Sequence, residues 1–344
     1  MVLGIIVIAS TPFVIRHYKP KNNQQSQQIQ AIPPKKEPDK IWGATIRPYA
    51  TQNVKNSLEL QFALLVQLFG EDSACARVNM EKDMKVNDQL VALKEKYKVR
   101  LMLILEEKID FNQDNDYELM ANNLANKIVA RYKGKVEYYQ LINEVSGIMY
   151  SQPADTGPKF DAGYGLTVDQ KRYNNVARYA KALNRAIKKI DPQAKTALTG
   201  HWVLIDPILS LVKGGVDVDI IGWNWGSGIS DKPGIKMVDK YGTMNIPQKV
   251  AKLRKKFWII EANKDDGSYG GKEQEQADYI KILATAARDA KNIQGYFHFT
   301  LTDTTDEGPA GAQGLVTIKK TADGWIIDKA KPAFKVLRDV AAGK

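Results

Sequence analysis

Two glutamates, Glu144 and Glu261, each close a short apolar run: Gln140-Leu141-Ile142-Asn143-Glu144 and Phe257-Trp258-Ile259-Ile260-Glu261. A carboxylic acid can hand a proton to a departing oxygen, while a second, ionised carboxylate attacks the carbon that the oxygen leaves. At a glycosidic bond such a pair gives two successive displacements when the carboxyl groups stand about 5 to 5.5 Å apart. The stretch between them holds about three strand-helix units, so the two glutamates meet if the strands close into a barrel with all strand ends on one face. Glu144 is then the acid and base, and Glu261 the nucleophile.

The rest of the chain is patterned to build that barrel. From Lys40 onward short apolar runs alternate with longer amphipathic segments, the pattern of parallel strands joined by crossover helices. Eight strands are expected, at Ile41–Ile46, Ala74–Asn79, Val99–Leu105, Val136–Ile142, Lys195–Thr199, Val218–Trp223, Phe257–Glu261 and Ile293–Phe299. Helices are expected at Asn53–Phe69, Tyr117–Tyr132, Val168–Ile190, Gln274–Ala290 and Lys331–Val340, with Asp191-Pro192 stopping the third of these. The first strand is not followed by a Gly-rich phosphate loop, which argues against an open doubly wound sheet. The expected fold class is α/β: a single-domain (β/α)8 barrel over residues 40–344.

In such a barrel the reactive groups lie where strands end. The candidates there are Arg77 after the second run, Asn143 and Glu144 after the fourth, and His201 and Trp202 after the fifth. Trp223, Asn224 and Trp225 follow the sixth, Glu261 the seventh and His298 the eighth. With Asn143-Glu144 on the fourth strand and Trp258-Ile259-Ile260-Glu261 on the seventh, the chain resembles glycoside hydrolase clan A, the (β/α)8 retaining glycosidases. The closing segment Gly295-Tyr296-Phe297-His298-Phe299 through Asp303, then Gly314-Leu315-Val316 and Lys331-Pro332-Ala333-Phe334, is similar as well. The resemblance implies a retaining β-glycosidase acting on a polysaccharide or oligosaccharide without a cofactor. It implies further that Arg77 keeps Glu261 ionised and that Asn143 binds the sugar 2-hydroxyl. His201, Trp202, Trp223, Asn224, Trp225 and His298 complete the expected substrate-binding set. Two departures stand out: the sixth strand lacks the clan's Tyr, with Asn224 or Tyr269 available in its place, and the eighth has Phe297-His298-Phe299 where many members carry a Trp.

Each residue also has a plainer reading. Asn143 can cap a helix, Glu261 can pair with Arg77 or Lys264 at the barrel rim, and the tryptophans and histidines can be core residues. For the whole chain, the rivals are an inactive, envelope-tethered carbohydrate-binding barrel and an enzyme of phosphorylated metabolites using Asp266-Gly267-Ser268-Tyr269-Gly270-Gly271 as a phosphate loop.

Composition narrows the classes. The 344 residues carry a formal charge of +11, with six basic against two acidic residues in the first 40. Elsewhere Lys and Arg are interspersed with Asp and Glu along helices instead of clustering with aromatics, so no nucleic-acid partner is expected. The three histidines, His17, His201 and His298, share no local metal-ligand spacing, and no metal is expected. The one cysteine, Cys75, sits in an apolar run and reads as a buried, inert thiol. Val2 to Ile15 is almost wholly apolar and Arg16, His17 and Lys19 follow, so residues 1–18 read as a signal peptide or membrane anchor. Residues 19–39, with a Gln/Asn-rich tract and Pro33-Pro34-Lys35-Lys36-Glu37-Pro38, read as a disordered linker. That layout places the barrel outside the cytoplasm, anchored to the membrane through the N-terminal segment if it is uncleaved.

Overall fold

The computed structural model describes residues 38–48, 57–105, 108–151, 159–163, 166–201, 205–227, 237–239, 242–322 and 324–344. The proposed N-terminal signal or anchor, most of the linker, and Trp202 lie outside these residues. Eight strands form a closed, all-parallel barrel: β1 (Ile41–Thr45), β2 (Ala74–Asn79), β3 (Arg100–Ile104), β4 (Tyr138–Gln140), β5 (Lys195–His201), β6 (Ile220–Gly226), β7 (Lys256–Asn263) and β8 (Gly295–His298). Each strand pairs with its sequence neighbours, and β8 closes on β1 through Ile41 opposite Gly295 and Ala44 opposite His298. The chain is therefore a (β/α)8 barrel, and all eight expected strands are present with ends moved by a few residues.

Helices cover the outside. The longer ones are α1 (Ser57–Phe69), α2 (Met84–Tyr97), α3 (Tyr117–Ile128), then a single short turn α4 (Val145–Met149), α5 (Gln170–Ile190), α6 (Ile205–Lys213), α7 (Ile246–Ala251), α8 (Glu273–Asp289) and α9 (Pro332–Ala341). Their starts follow capping chemistry. Asp83, Asp116, Asp169 and Asn245 each accept a backbone N–H of the first turn, satisfying a donor the helix cannot. Among the described residues three two-stranded hairpins are inserted, of which Val316–Thr321 with Gly324–Ala330 follows the last barrel strand. None of the helices in the described residues is long and apolar enough to cross a membrane.

The barrel interior is solid. Ile41, Cys75, Met102, Tyr138, Ala197, Ile220, Trp258, Ile260 and Phe297 form one buried cluster inside the ring of strands. Trp258 stacks on Phe297 at 5.5 Å and meets Tyr138 edge-on at 4.9 Å. Room for these rings comes from glycine: a Cβ on Gly43 would stand 2.5 Å from Phe297, and one on Gly295 would stand 2.5 Å from Trp258. Cys75 is fully buried there, and desolvation holds its thiol well above the ordinary value, so it is inert.

Candidate active site

The interior cluster fixes which way each strand faces. On β2, β4 and β5 the residues two beyond the interior positions, Arg77, Gln140 and Thr199, and on β1 Thr45, four beyond Ile41, continue the inward face into the top of the barrel. They bond to one another. Arg77 is 1 % exposed, and its guanidinium donates from Nε to Gln140 Oε1 at 2.8 Å, from Nη1 to Thr45 Oγ1 at 3.1 Å and from Nη2 to Asn143 Oδ1 at 3.0 Å. Gln140 Nε2 donates to Asn143 Oδ1 at 2.8 Å and to Thr199 Oγ1 at 3.1 Å. Asn143 thus spends its carbonyl on Arg77 and Gln140, which orients its amide donors away from them.

Glu261 joins this network through Arg77, whose Nη1 lies 2.6 Å from Glu261 Oε1. Its inward aim depends on a bulge. Trp258 and Ile260 face the interior, so strict alternation would send Glu261 outward; the pairing of β7 with β6 slips between Ile259 and Glu261, and Ala262 joins the outer core instead. Burial pushes the Glu261 carboxyl above its usual range and the nearby Glu144 charge pushes the same way, while Arg77 pulls it down.

Glu144 reaches the same space from β4. Its backbone sits in the left-handed region, φ 49° and ψ 45°, an arrangement that costs a non-glycine residue about 1 kcal/mol. The N–H of Glu144 donates to Thr199 Oγ1 at 3.0 Å, and Asn224 Nδ2 donates to its Oε1 at 2.7 Å. Glu144 occupies the N-cap position of α4, yet neither it nor Asn143 makes a capping bond, so the helix-cap reading of this dipeptide does not apply.

The two glutamates line one cavity of about 370 Å³, together with His201, Asn224, Trp225, Gly226, Asn263, Lys264, Asp265, Phe299 and Gln313. The volume falls in the range of small-ligand clefts. Its far wall is braced by the Gln313 carbonyl, which accepts from Asn263 Nδ2 at 2.7 Å and lies 3.1 Å from His298 Nε2. His201 Nδ1 lies 3.1 Å from Ser146 Oγ, and its ring packs over Gly147, where a Cβ would stand 2.7 Å from Cε1. Among the described residues no group of His, Cys, Asp and Glu could hold a metal ion.

The structure brings Glu144, Glu261, Arg77, Asn143, Asn224 and His201 together, and it sets Trp223 and His298 outside the cavity. Trp223 is wholly buried and points away from the cavity, since Gly222 and Asn224 take the inward positions; a Cβ on Gly200 would stand 2.8 Å from its ring. Trp225 lies in the cavity wall, as expected for the sixth-strand end, with 1 % of its surface exposed. His298 is fully buried behind the wall, because the inward residues of β8 are Phe297 and then Phe299. Desolvation lowers its pKa to about 3, which leaves it a neutral donor to Gln313. Sequence reasoning missed Thr45, Gln140, Thr199 and Phe299. The first three carried a signal, polar side chains spaced two or four residues from apolar interior positions near strand ends.

Comparison with known proteins bears on the fold. No protein-family model matches the chain, and no curated protein does. Solved structures do match: a family 39 glycoside hydrolase from Bacteroides cellulosilyticus WH2 at TM-score 0.63 and 16% identity, over 88% of this chain and 64% of that one. A family 1 β-glucosidase from Thermotoga maritima matches at TM-score 0.59 and 11% identity, over 88% of this chain and 97% of that one. A third, a β-glycosidase, gives TM-score 0.57 and 12% identity over 89% and 96%. The chain thus shares the closed parallel barrel of these glycoside hydrolases, and the resemblance to clan A read from its motifs holds at the level of the fold.

Proposed function

We infer that the chain is a retaining β-glycosidase that hydrolyses O-glycosidic bonds of a polysaccharide or oligosaccharide by double displacement. The observation that carries this reading is that Glu144 and Glu261, from the ends of β4 and β7, line one cavity with Glu261 held by Arg77 at 2.6 Å. Glu144 protonates the glycosidic oxygen as its bond to the anomeric carbon breaks, while Glu261 attacks that carbon and forms a glycosyl ester. Glu144, now ionised, takes a proton from water, which attacks the anomeric carbon and releases Glu261. Arg77 offsets the burial that would otherwise favour a protonated, non-nucleophilic Glu261. Asn143, its carbonyl engaged by Arg77 and Gln140, is left with amide donors for the sugar 2-hydroxyl.

The N-terminal apolar segment is proposed to export the barrel or tether it to the membrane outside the cytoplasm. The reading is tested by following the anomeric configuration of the first product from an aryl β-glycoside by proton NMR. Retention supports it; inversion, or hydrolysis that survives Glu261→Ala at wild-type rate, removes it.

A further inference from the structure

Glu144 enters the cavity by a turn that backbone sterics oppose. At φ 49° and ψ 45° it lies in the left-handed region, which favours glycine, yet it carries a full side chain. The pairing of β4 with β5 runs from Tyr138 opposite Lys195 to Gln140 opposite Ala197, and the Leu141 N–H adds a bond to Ala197 O at 2.9 Å. At Ile142, Asn143 and Glu144 the connection to β5 passes to a side chain, that of Thr199.

Thr199 is fully buried, and its hydroxyl meets all three residues of the turn. Its Oγ1 accepts the Glu144 N–H at 3.0 Å and stands 3.2 Å from both Ile142 O and Asn143 Oδ1. It also accepts from Gln140 Nε2 at 3.1 Å. A hydroxyl has two lone pairs and one hydrogen. The two N–H donors take the lone pairs, so the hydrogen goes to Ile142 O or Asn143 Oδ1. Packing alone does not call for a hydroxyl here, since valine would fill the same space with no polar group to satisfy.

Gln140 ties this clamp to the other carboxylate. It is fully buried, and its Oε1 accepts from Arg77 Nε at 2.8 Å, while Arg77 Nη1 lies 2.6 Å from Glu261 Oε1. An unbroken series of contacts, none longer than 3.1 Å, thus runs from the Glu261 carboxyl through Arg77, Gln140 and Thr199 to the Glu144 N–H. Its three middle members are at most 1 % exposed, and a buried, fully bonded network of this kind is rigid.

We propose that Thr199, seated on Gln140, is the positioning residue that fixes the left-handed turn at Glu144 and so holds the Glu144 carboxyl against Asn224, in the cavity it shares with Glu261. This deepens the glycosidase reading, on which the catalytic consequence rests. Thr199→Val and Thr199→Ser are compared with wild type in the full chain, by crystal structure and by kinetics on phenyl and 2,4-dinitrophenyl β-glycosides. Thr199→Ala, which removes the hydroxyl without placing a methyl in its site, serves if Thr199→Val does not fold.

In Thr199→Val crystals Glu144 should leave the left-handed region and its contact with Asn224 Nδ2 should open; Thr199→Ser should keep both. The kcat of Thr199→Val should fall about 10- to 100-fold for the phenyl glycoside, which needs a proton delivered, and less than about threefold for the dinitrophenyl glycoside, with KM within about twofold. Thr199→Ser should restore kcat to within about threefold of wild type. Glu144 unmoved in Thr199→Val overturns the proposal, as does wild-type kcat on both substrates or an equal loss on both. Glu144 displaced in Thr199→Val, in a chain whose wild type cleaves no glycoside, keeps the positioning and removes the glycosidase reading. Cleavage of the phenyl glycoside at wild-type rate by Thr199→Val, with Glu144 in place, does the reverse.

Discussion

Asn224 grips Glu144 rather than Glu261, donating from Nδ2 to Glu144 Oε1 at 2.7 Å. On β6 it lies opposite Glu261 in register, yet its side chain reaches toward β4. In clan A the sixth strand commonly offers a Tyr to the nucleophile; here that strand's Asn224 contacts Glu144, the proposed acid and base, and Glu261, the proposed nucleophile, is held by Arg77. With Oε1 engaged by Asn224, Oε2 is the oxygen left to face the leaving group in the proposed reaction.

Asn224→Ala should therefore hurt reactions that need protonation and spare those that do not. Across a series of aryl β-glycosides, kcat should fall about 10- to 100-fold for poor leaving groups and by much less for dinitrophenolate, steepening the dependence on leaving-group pKa. A uniform loss across the series would show that Asn224 acts on something other than proton delivery.

Removing each carboxyl separates the roles of the pair. Glu261→Ala should lower kcat by more than about 10⁴-fold for every substrate, because no nucleophile replaces it. Glu144→Ala should cost about 10²- to 10⁴-fold with poor leaving groups and less with good ones. Equal losses for both variants with a dinitrophenyl glycoside would contradict the assignment.

Arg77→Lys tests the electrostatic arrangement through pH. Glu261 sits above the usual carboxylate range because of burial, and Arg77 restrains it. Activity requires the ionised form, so it rises with pH as Glu261 loses its proton. Lysine cannot reproduce the guanidinium's contacts to Glu261, Thr45, Gln140 and Asn143. With less restraint the pKa of Glu261 goes up, and the acid limb of kcat/KM moves to higher pH. An unmoved limb would place the ionisation elsewhere.

Glu81 offers a stability test away from catalysis. It is 2 % exposed, and neither carboxyl oxygen has a hydrogen-bond partner among the described residues, although its backbone is pinned at both N–H and C=O by the Asn87 side chain. Desolvation raises its pKa to about 7. A carboxyl raised in the folded state favours folding below its unfolded pKa, and that contribution is lost as pH rises through 7. Glu81→Gln should thus gain stability at pH 8 relative to its effect at pH 4 by about 1 to 3 kcal/mol in denaturant titrations. The same effect at both pH values would show that Glu81 does not titrate in this range.

Much of this was legible in the chain because barrel strands are short apolar runs with polar stops, and Asn143-Glu144 and Glu261 fall at such stops. What escaped was facing. The β6 run Ile220–Trp225 is apolar on both sides, so nothing in it says whether Trp223 or Asn224 looks inward; Gly222 against Ile260 decides it. On β8 the same ambiguity favoured His298 over Phe299. The bulge after Ile259 was hidden as well, and without it Glu261 would have been assigned its position for the wrong geometric reason.

The packed interior of Trp258, Phe297 and Tyr138 gives the cavity a sealed floor. Among the described residues nothing opens a rear entrance, so in the proposed double displacement water comes in by the same mouth through which the aglycone departs. That doorway would admit whichever hydroxyl arrives first, and in concentrated sugar the proposed glycosyl ester should pass its sugar to a second saccharide, lengthening chains as well as shortening them.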